Sequence, residues 1–349
     1  MNAFEKGLRD RIAKEISDLQ AVTPGIVFDV HVGGRRKGGL RVGETYDIYD
    51  LASLTKIIFS ASACMHYFTD HPRELKRPIQ EKLEWWKSKE TRPFDLLTHT
   101  AGLDWWKPYY ELVRGPMVPQ LRWDRLKKLL AKEKPSPGWH KATYSDLDLW
   151  MIGAFLEAAT EQSILSLWEE TVDRVGIKDI FFHPGNKPKY VRFRYAPTEK
   201  CPWRGRVLRG EVHDENTWSF GGVSPNAGLF GRIEAVSDWG LKLRKAVLHD
   251  GKAFGSPAMA RRFTKRQIPR RQGDWGLGFM KPTKGRASCG KYFSLDSFGH
   301  TGFTGTSLWF DPKQDILIVI LSNRVHPTRH NPAFAALRPR LHEWICELL

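Results

Sequence analysis

The sequence predicts an α/β chain of the α+β kind, in which an antiparallel sheet built from both chain ends carries flanking helices and an inserted helical lobe. Strand-like segments lie at residues 25–32 and 306–321, near the two ends. At 349 residues the chain is long enough for one large domain or two interleaved lobes. We expect residues 1–60 and 226–349 to form a sheet lobe, residues 61–225 a mainly helical lobe, and the functional site to lie in the cleft between them.

Each element is predicted by its own local pattern. Apolar residues at helical spacing predict a helix over residues 4–20, and the apolar run at 25–32 followed by Gly33-Gly34 predicts a strand and a turn. Residues 54–68 lack Gly and Pro and are apolar on most sides, so a buried helix should begin at Ser53. Further helices are predicted at 146–159, 229–250 and 333–349, and a hairpin is predicted from 306–310 and 316–321.

The composition is that of a globular protein with an excess of positive charge. Hydrophobic residues make up 41% and charged residues 27%, but 55 Lys and Arg against 39 Asp and Glu give a net charge of +16. Such a charge attracts polyanions, yet the basic residues are scattered and no nucleic-acid-binding motif accompanies them, so no nucleic-acid partner is expected. Residues 183–225, rich in Pro, Gly and Arg, are predicted to run over the surface.

The cysteines and the N-terminus carry information on location. No two cysteines form a C-x-x-C pair, which excludes a zinc ribbon or thioredoxin motif, and free, mostly buried thiols are expected. The N-terminus lacks the apolar region of a secretory signal, and no stretch has the length of a membrane span. A cytoplasmic location is therefore expected, or a periplasmic one if a leader is missing from the sequence.

Ser53 and Lys56 form the first candidate catalytic group. A serine hydroxyl is a weak nucleophile and needs a base. Residues three apart on a helix share a face, so Lys56 would lie beside Ser53, and a desolvated lysine can have its pKa lowered enough to act as that base. The same spacing recurs at Ser288 and Lys291 in a predicted loop. The spacing alone is therefore also compatible with a helix cap and a solvated lysine.

Tyr144-Ser145-Asp146 precedes a predicted helix and forms the second candidate group. The Tyr144 hydroxyl could share proton transfer, and Asp146 could bind the lysine. The simpler interpretation is that Tyr144 packs and Asp146 caps the helix.

His300-Thr301-Gly302 enters the C-terminal hairpin and forms the third group. A glycine there would let a substrate backbone lie close to the strand, and the threonine hydroxyl could meet a substrate carboxylate or amide. The simpler interpretation is a hairpin edge with incidental polar residues.

In this order the three groups resemble the signature motifs of the class C β-lactamase-like, penicillin-binding serine hydrolases, a family with β-lactamase, D,D-peptidase and esterase members. The resemblance covers roughly residues 20–345 and implies a β-lactamase/transpeptidase-like fold. Flanking runs that also match are Asp50-Leu-Ala-Ser-Leu-Thr-Lys56, residues 96–103, 212–216, 221–222 and 227–230, and His300-Thr-Gly-Phe-Thr-Gly-Thr306.

The resemblance also implies a role for each matching residue. Ser53 would attack a carbonyl and form an acyl-enzyme, while Lys56 and Tyr144 would handle its proton and later activate water. The backbone N–H groups of Ser53 and Phe303 would form the oxyanion hole. Substrate would be bound by Asp146, His300, Thr301, Gly302, Trp105 and Arg324.

Two residues depart from the family pattern. Asp146 stands where Asn is common, and its charge should favour protonated Lys56 and slow β-lactam turnover. His300 stands where β-lactamases usually have Lys, and a neutral histidine would attract a substrate carboxylate less strongly; Arg324 could replace that charge.

The sequence thus predicts a serine hydrolase of amides or esters, closer to a D,D-peptidase or esterase than to an efficient β-lactamase. Its partner would be a small-molecule or peptide substrate, with an anionic cell-wall peptide as one candidate. No cofactor or metal is expected, since Pro327 separates His326 from His330 and no third ligand is evident. The alternatives are a catalytically weak penicillin- or cell-wall-peptide-binding protein and, from charge alone, a nucleic-acid-associated protein.

Overall fold

The computed structural model describes residues 1–113, 118–136, 138, 141–188 and 190–349. Its strands are β1 (Gly25–Val32), β2 (Arg35–Gly43), β3 (Tyr49–Asp50), β4 (Ile180–Phe181), β5 (Pro197–Cys201), β6 (Arg206–Arg209), β7 (Phe230–Gly231), β8 (Phe298–Thr301), β9 (Ser307–Asp311) and β10 (Ile316–Ser322). Its α-helices are α1 (Ala3–Glu15), α2 (Ser62–Asp70), α3 (Pro93–Leu97), α4 (Pro119–Leu130), α5 (Asp146–Thr160), α6 (Ile164–Val175), α7 (Glu215–Ser219), α8 (Ile233–Leu248), α9 (Pro257–Thr264) and α10 (Ala333–Glu347).

A five-stranded antiparallel sheet joins the two ends of the chain, as predicted. Its order is β2-β1-β10-β9-β8, so the N-terminal hairpin pairs with the C-terminal strands through β1 and β10. Phe28 lies opposite Ile320, and Val30 lies opposite Ile318. The sheet explains why strand-like segments occur at both ends of the sequence.

Both faces of this sheet are buried. Ile318 and Ile320 on β10 belong to a core shared with α1 and α10, whereas Leu317 and Val319 belong to a larger core shared with α8. Because alternate residues of a strand point to opposite faces, a strand covered on both sides is apolar throughout, as Ile316–Ser322 is. The larger core also contains residues from within 61–225, so the predicted lobes share apolar packing; their division at 61 and 225 stays a prediction.

Helix boundaries differ from the predicted ones where a side chain competes with the backbone. Helix α1 ends at Glu15 rather than near residue 20, because Asp18 Oδ1 accepts hydrogen bonds from the N–H groups of Gln20 and Ala21 and forms a turn. Helix α8 begins at Ile233 because the preceding residues pair as β7.

The predicted surface path of residues 183–225 is wrong for its last part. Residues 216–217 and 219–225 are buried. Buried backbone groups near this part of the chain bond to other protein groups instead of water; for example, the N–H of His213 donates to Asp50 Oδ2 at 2.8 Å. All four cysteines are free thiols, and three are buried, which confirms that expectation. Within the described ranges, we find no helix with the length and apolarity to cross a bilayer.

Candidate active site

Ser53 follows a backbone turn that holds an unusual conformation. Ala52 has φ of 47°, in the left-handed region that residues with a Cβ seldom occupy. Its N–H donates to Asp50 Oδ1 at 2.8 Å, while the other oxygen of Asp50 binds the N–H of His213. These two bonds fix the turn, and Ser53 lines the main cleft at the start of the helical segment that continues into α2.

Lys56 is buried on a π-helical turn, Lys56–Ala61, next to the serine. Its Nζ donates to Ser53 Oγ and to the Asn226 carbonyl, both at 3.0 Å, and lies 2.7 Å from Asp146 Oδ1. Burial alone would lower the pKa of Lys56, but the charges of Asp146 and Tyr144 and their hydrogen bonds outweigh it and raise the pKa above its ordinary value. The expectation of a lowered pKa is therefore wrong, because an ion pair opposes the desolvation.

Tyr144 approaches the same serine oxygen. Its hydroxyl donates to Ser53 Oγ at 2.8 Å, and its ring centre lies 5.0 Å from Lys56 Nζ. Burial raises the pKa of Tyr144, Lys56 opposes this change, and Asp146 adds to it. Ser53 Oγ therefore accepts hydrogen bonds from two protonated groups, and neither is a free base in this state.

Ser145, rather than Asp146, caps helix α5. Its side chain accepts a hydrogen bond from the N–H of Asp148. The simpler interpretation of Asp146 as the cap is therefore wrong, and its carboxylate is left for the ion pair with Lys56.

The third motif lines the same cleft and supports the serine turn. Thr306 Oγ1 donates to the Leu51 carbonyl at 3.0 Å. A Cβ on Gly302 would lie 2.0 Å from Thr306 Oγ1 and 2.7 Å from the Leu51 carbonyl oxygen. Packing against the serine turn thus requires glycine here, a reason different from the expected approach of substrate. Thr301 also lines the cleft.

His300 is a buried, neutral side chain. Burial, then the charge of Lys56, lowers the pKa of His300 to about 3. Its Nδ1 lies 2.8 Å from the Thr301 carbonyl, which can only accept a hydrogen bond, so Nδ1 carries the proton. Nε2 is then an acceptor, and it has no partner among the described residues. His300 therefore supplies no positive charge to the cleft, as the sequence predicted.

The backbone N–H groups of Ser53 and Phe303 make no hydrogen bond within the described part of the chain. The carbonyl of Phe303 accepts from Arg324 Nε at 2.7 Å, and the neighbouring N–H of Gly302 donates to the Thr306 carbonyl at 2.7 Å. These bonds fix the strand end that carries the Phe303 N–H. Ser53 and Phe303 line the same cleft, and free N–H donors in a cleft are what an oxyanion requires.

A cleft of about 570 Å³ contains these groups. Trp105, with 64% of its surface exposed, lines it, as do Arg324, Arg329 and Arg338. Arg329 is paired with Glu199 and Glu215. Arg324 and Arg338 have no carboxylate within 4.0 Å among the described residues, and both are buried.

Arg338 is the less satisfied of these two arginines. It donates to the Gly302 carbonyl at 3.1 Å, but its Nε has no partner in the described ranges. Burial, then the charge of Arg324, lowers the pKa of Arg338 to about 10, so it stays cationic at neutral pH.

The site residues that sequence reasoning missed are His99, Asn226, Trp275 and Arg338. His99 lies in the run 96–103 that carried the resemblance, so its position was noted without a role. Its carbonyl accepts from the N–H of Thr143 at 2.9 Å, and its Nδ1 lies 3.3 Å from the N–H of Ser145 and 2.9 Å from Asp148 Oδ2.

His99 therefore bonds to the residues on both sides of Tyr144. Its ring also contacts the Tyr144 ring edge to face, with centres 5.1 Å apart. Trp275 stacks on Tyr144 with ring centres 5.9 Å apart and also contacts His99, at 4.4 Å. Arg338 carried no sequence signal beyond its charge. Asn226 contributes through its backbone carbonyl, which side-chain patterns do not report. The described residues include no group of three or more His, Cys, Asp or Glu side chains that could hold a metal ion.

Comparisons with known proteins agree with this geometry. The family model described as Beta-lactamase matches residues 10–340. A protein of Salmonella typhi named "Putative D-alanyl-D-alanine carboxypeptidase" is 29% identical over 321 residues, which cover 82% of this chain and 72% of that protein.

Solved structures show the same fold at low sequence identity. A penicillin-binding protein homologue from Caulobacter crescentus superposes with a TM-score of 0.71 at 16% identity, covering 100% of this chain and 98% of that one. EstCE1, described as a hydrolase with promiscuous acyltransferase activity, gives a TM-score of 0.67 at 16% identity, with 98% and 100% coverage. The family match extends over most of the chain, and the fold and the three motifs agree with it. The chain therefore belongs to the beta-lactamase family and is a serine hydrolase of that family.

Proposed function

We propose that the chain cleaves an amide or ester substrate that bears a negative charge, through an acyl-enzyme on Ser53. The observation that carries this proposal is the convergence of Lys56 Nζ and Tyr144 OH on Ser53 Oγ, at 3.0 and 2.8 Å. The activity is D,D-peptidase-like or esterase-like, in line with the names of the similar proteins.

In the first half of the reaction, Ser53 Oγ bonds to the carbonyl carbon and its proton passes to the Lys56–Tyr144 pair. The pair must first lose a proton, because both groups are protonated at rest. The free N–H groups of Ser53 and Phe303 bind the developing oxyanion. The pair then returns the proton to the leaving nitrogen or oxygen as its bond to the carbonyl carbon breaks, and water releases the acyl group by the reverse roles.

The charged part of the substrate binds at the third-motif side of the cleft. His300 is neutral and cannot attract an anion, whereas Arg324 and Arg338 are cations without a carboxylate partner. Thr301 and Gly302 line the same cleft as these arginines and Ser53, and Trp105 adds an exposed aromatic face to it. A carboxylate would supply the missing counter-charge, which supports a peptide with a free C-terminus or an acidic ester as substrate.

A second candidate is a penicillin- or cell-wall-peptide-binding protein that acylates slowly. The ion pair between Lys56 and Asp146 favours it, since a protonated lysine cannot take up the serine proton. The compartment decides whether the protein meets cell-wall peptide, and both the cytoplasmic and the periplasmic location stay predictions.

Intact-protein mass spectrometry distinguishes these functions. Wild type and the variant Ser53→Ala are mixed separately with a penicillin and with a nitrophenyl ester, and ester hydrolysis is followed in parallel. We expect an adduct on wild type alone, with ester turnover lost in the variant and thermal stability nearly unchanged. A long-lived adduct without turnover would support the binding protein. Equal adducts on both proteins would remove Ser53 from the mechanism.

A further inference from the structure

A second cavity, of about 560 Å³, lies outside the catalytic cleft. It is lined mainly by the end of α9, the segment that follows it, and the residues around Lys281 and Phe298. The cavity shares two chain segments with the cleft: Met280 lines the cleft while Lys281 lines the cavity, and His300 lines the cleft while Phe298 lines the cavity. The two spaces therefore lie close together, but no described residue lines both.

The lining of this cavity is strongly basic. It contains six cations and a single carboxylate, that of Asp296; the cations are Arg261, Lys265, Arg266, Arg270, Lys281 and Lys313. Three of the cations are paired with an acid: Arg261 with Asp250, Arg266 with Asp274, and Lys313 with Asp296.

The other three cations have no carboxylate within 4.0 Å in the described ranges. They are Lys265, Arg270 and Lys281. Like charges gathered around one concave space raise the local potential and hold anions there, more strongly than the same charges spread over a flat surface. The lining of the cavity therefore carries more positive than negative charge, and a bound anion would balance the excess.

Lys281 lies in the wall of this cavity and is itself buried, with 4% of its surface exposed. Its Nζ donates to the carbonyls of Thr264 at 2.8 Å and Asp296 at 2.6 Å, so two neutral acceptors surround it in place of a carboxylate. Burial lowers the pKa of Lys281 to about 7. The charged groups that act on it are Asp296, Arg266, Asp311 and Cys289.

We propose that this cavity binds a compact, multiply charged phosphate group such as a di- or triphosphate. Lys265 and Arg270 are unpaired cations, and Lys281 becomes a third when it takes up a proton on binding. Several negative charges within about 560 Å³ are needed to balance them, and phosphate groups carry more charge in a given volume than carboxylates do. Arginine and lysine together supply both planar and point donors for phosphate oxygens. This site is distinct from the proposed hydrolase site and does not depend on it.

Isothermal titration calorimetry with sodium tripolyphosphate, at pH 7.5 and low salt, tests the proposal. We expect saturable binding at a single site, weakened by added salt, with proton uptake when two buffers of different ionisation enthalpy are compared, because the anion raises the pKa of Lys281. The double variant Lys265→Glu with Arg270→Glu should weaken binding about tenfold or more. Both side chains are exposed, so the fold should be retained, and hydrolysis of a nitrophenyl ester should be unchanged.

The matched control is Arg35→Glu with Lys37→Glu, which makes the same change in net charge at two exposed positions on β2. This control should bind tripolyphosphate as tightly as wild type does. Equal weakening of tripolyphosphate binding by both double variants would show that only net charge matters and would refute the proposed site. Lys281→Met should abolish proton uptake, and uptake that persists in it would remove Lys281 from the site. Citrate should bind more weakly than tripolyphosphate; equal affinity would refute the choice of phosphate.

Discussion

The two sides of the catalytic cleft treat charge in opposite ways. On the nucleophile side, the buried ammonium of Lys56 is neutralised by Asp146, 2.7 Å away. On the third-motif side, Arg324 and Arg338 are buried with no carboxylate partner in the described residues, and His300, which lines the same cleft, is neutral. Charge is thus balanced within the protein on one side and unbalanced on the other.

This difference means that the nucleophile side determines the free energy needed to reach acylation, whereas the third-motif side determines the free energy of substrate binding. A paired lysine is stable but has to lose its proton before it can activate Ser53. An unpaired buried arginine is costly in the empty protein, and that cost is offset when an anion binds. We therefore expect substrates to be selected by charge on the third-motif side, while the rate of acylation is limited on the nucleophile side.

Removing the lysine should have the largest effect on the nucleophile side. Lys56→Met should lower the acylation rate by about 10²–10⁴-fold, because the serine loses its route for proton transfer. Stopped-flow acylation with a nitrophenyl ester measures it, and a thermal melt reports the cost of leaving the partly buried Asp146 without its ion-pair partner. An acylation rate equal to that of wild type, in a folded variant, would show that Lys56 takes no part.

Removing an arginine should instead act on binding. Arg338→Met should lower kcat/KM by about ten- to a hundredfold for an ester with a carboxylate, as expected for a lost charged hydrogen bond, mainly through KM. The matched control is an ester with the same leaving alcohol but with no carboxylate on its acyl part. For this ester, kcat/KM of Arg338→Met should be nearly the same as that of wild type. Equal losses on both esters would mean that Arg338 only supports the fold around Gly302.

Removing the contacts that His99 makes with Tyr144 and its neighbours should have the smallest effect on the reaction. His99→Asn removes the ring that contacts Tyr144 and one of the bonds to its segment, so kcat should fall about two- to tenfold, with KM nearly constant. A steady-state assay measures both constants. A change in KM alone would show that His99 affects substrate binding instead of Tyr144.

Much of the fold could be predicted from local patterns. The strands 25–32 and 316–321 are apolar and bounded by turns, and their pairing across the chain follows from the two-ended distribution of strand signals. The helix 146–159 was predicted to within one residue from its apolar pattern, although its cap is Ser145 and not Asp146. Predicted helix ends were wrong where one side chain bonds to the backbone, as Asp18 does after the end of α1.

The site was predictable only in part. Ser53, Lys56, Tyr144 and Asp146 were found because they fall in short motifs, and the structure brings them together. The sequence predicted that Asp146 favours protonated Lys56, and the raised pKa of Lys56 agrees. The distance of 2.7 Å between the two groups could not be predicted, because they lie 90 positions apart in sequence. Arg338 is on a helix beyond the last strand, and only the packing of α10 shows that it lines the cleft.

The central claim, that Asp146 holds the proton-transfer groups in their protonated form, is tested most directly by the pH dependence of acylation in wild type and Asp146→Asn. Asp146 raises the pKa of both Lys56 and Tyr144, so its neutralisation lowers both. Because the deprotonated form activates Ser53, acylation should rise with pH in each protein, and the variant's rise should lie at least about one pH unit lower. Coincident profiles, or a shift to higher pH, would contradict the account.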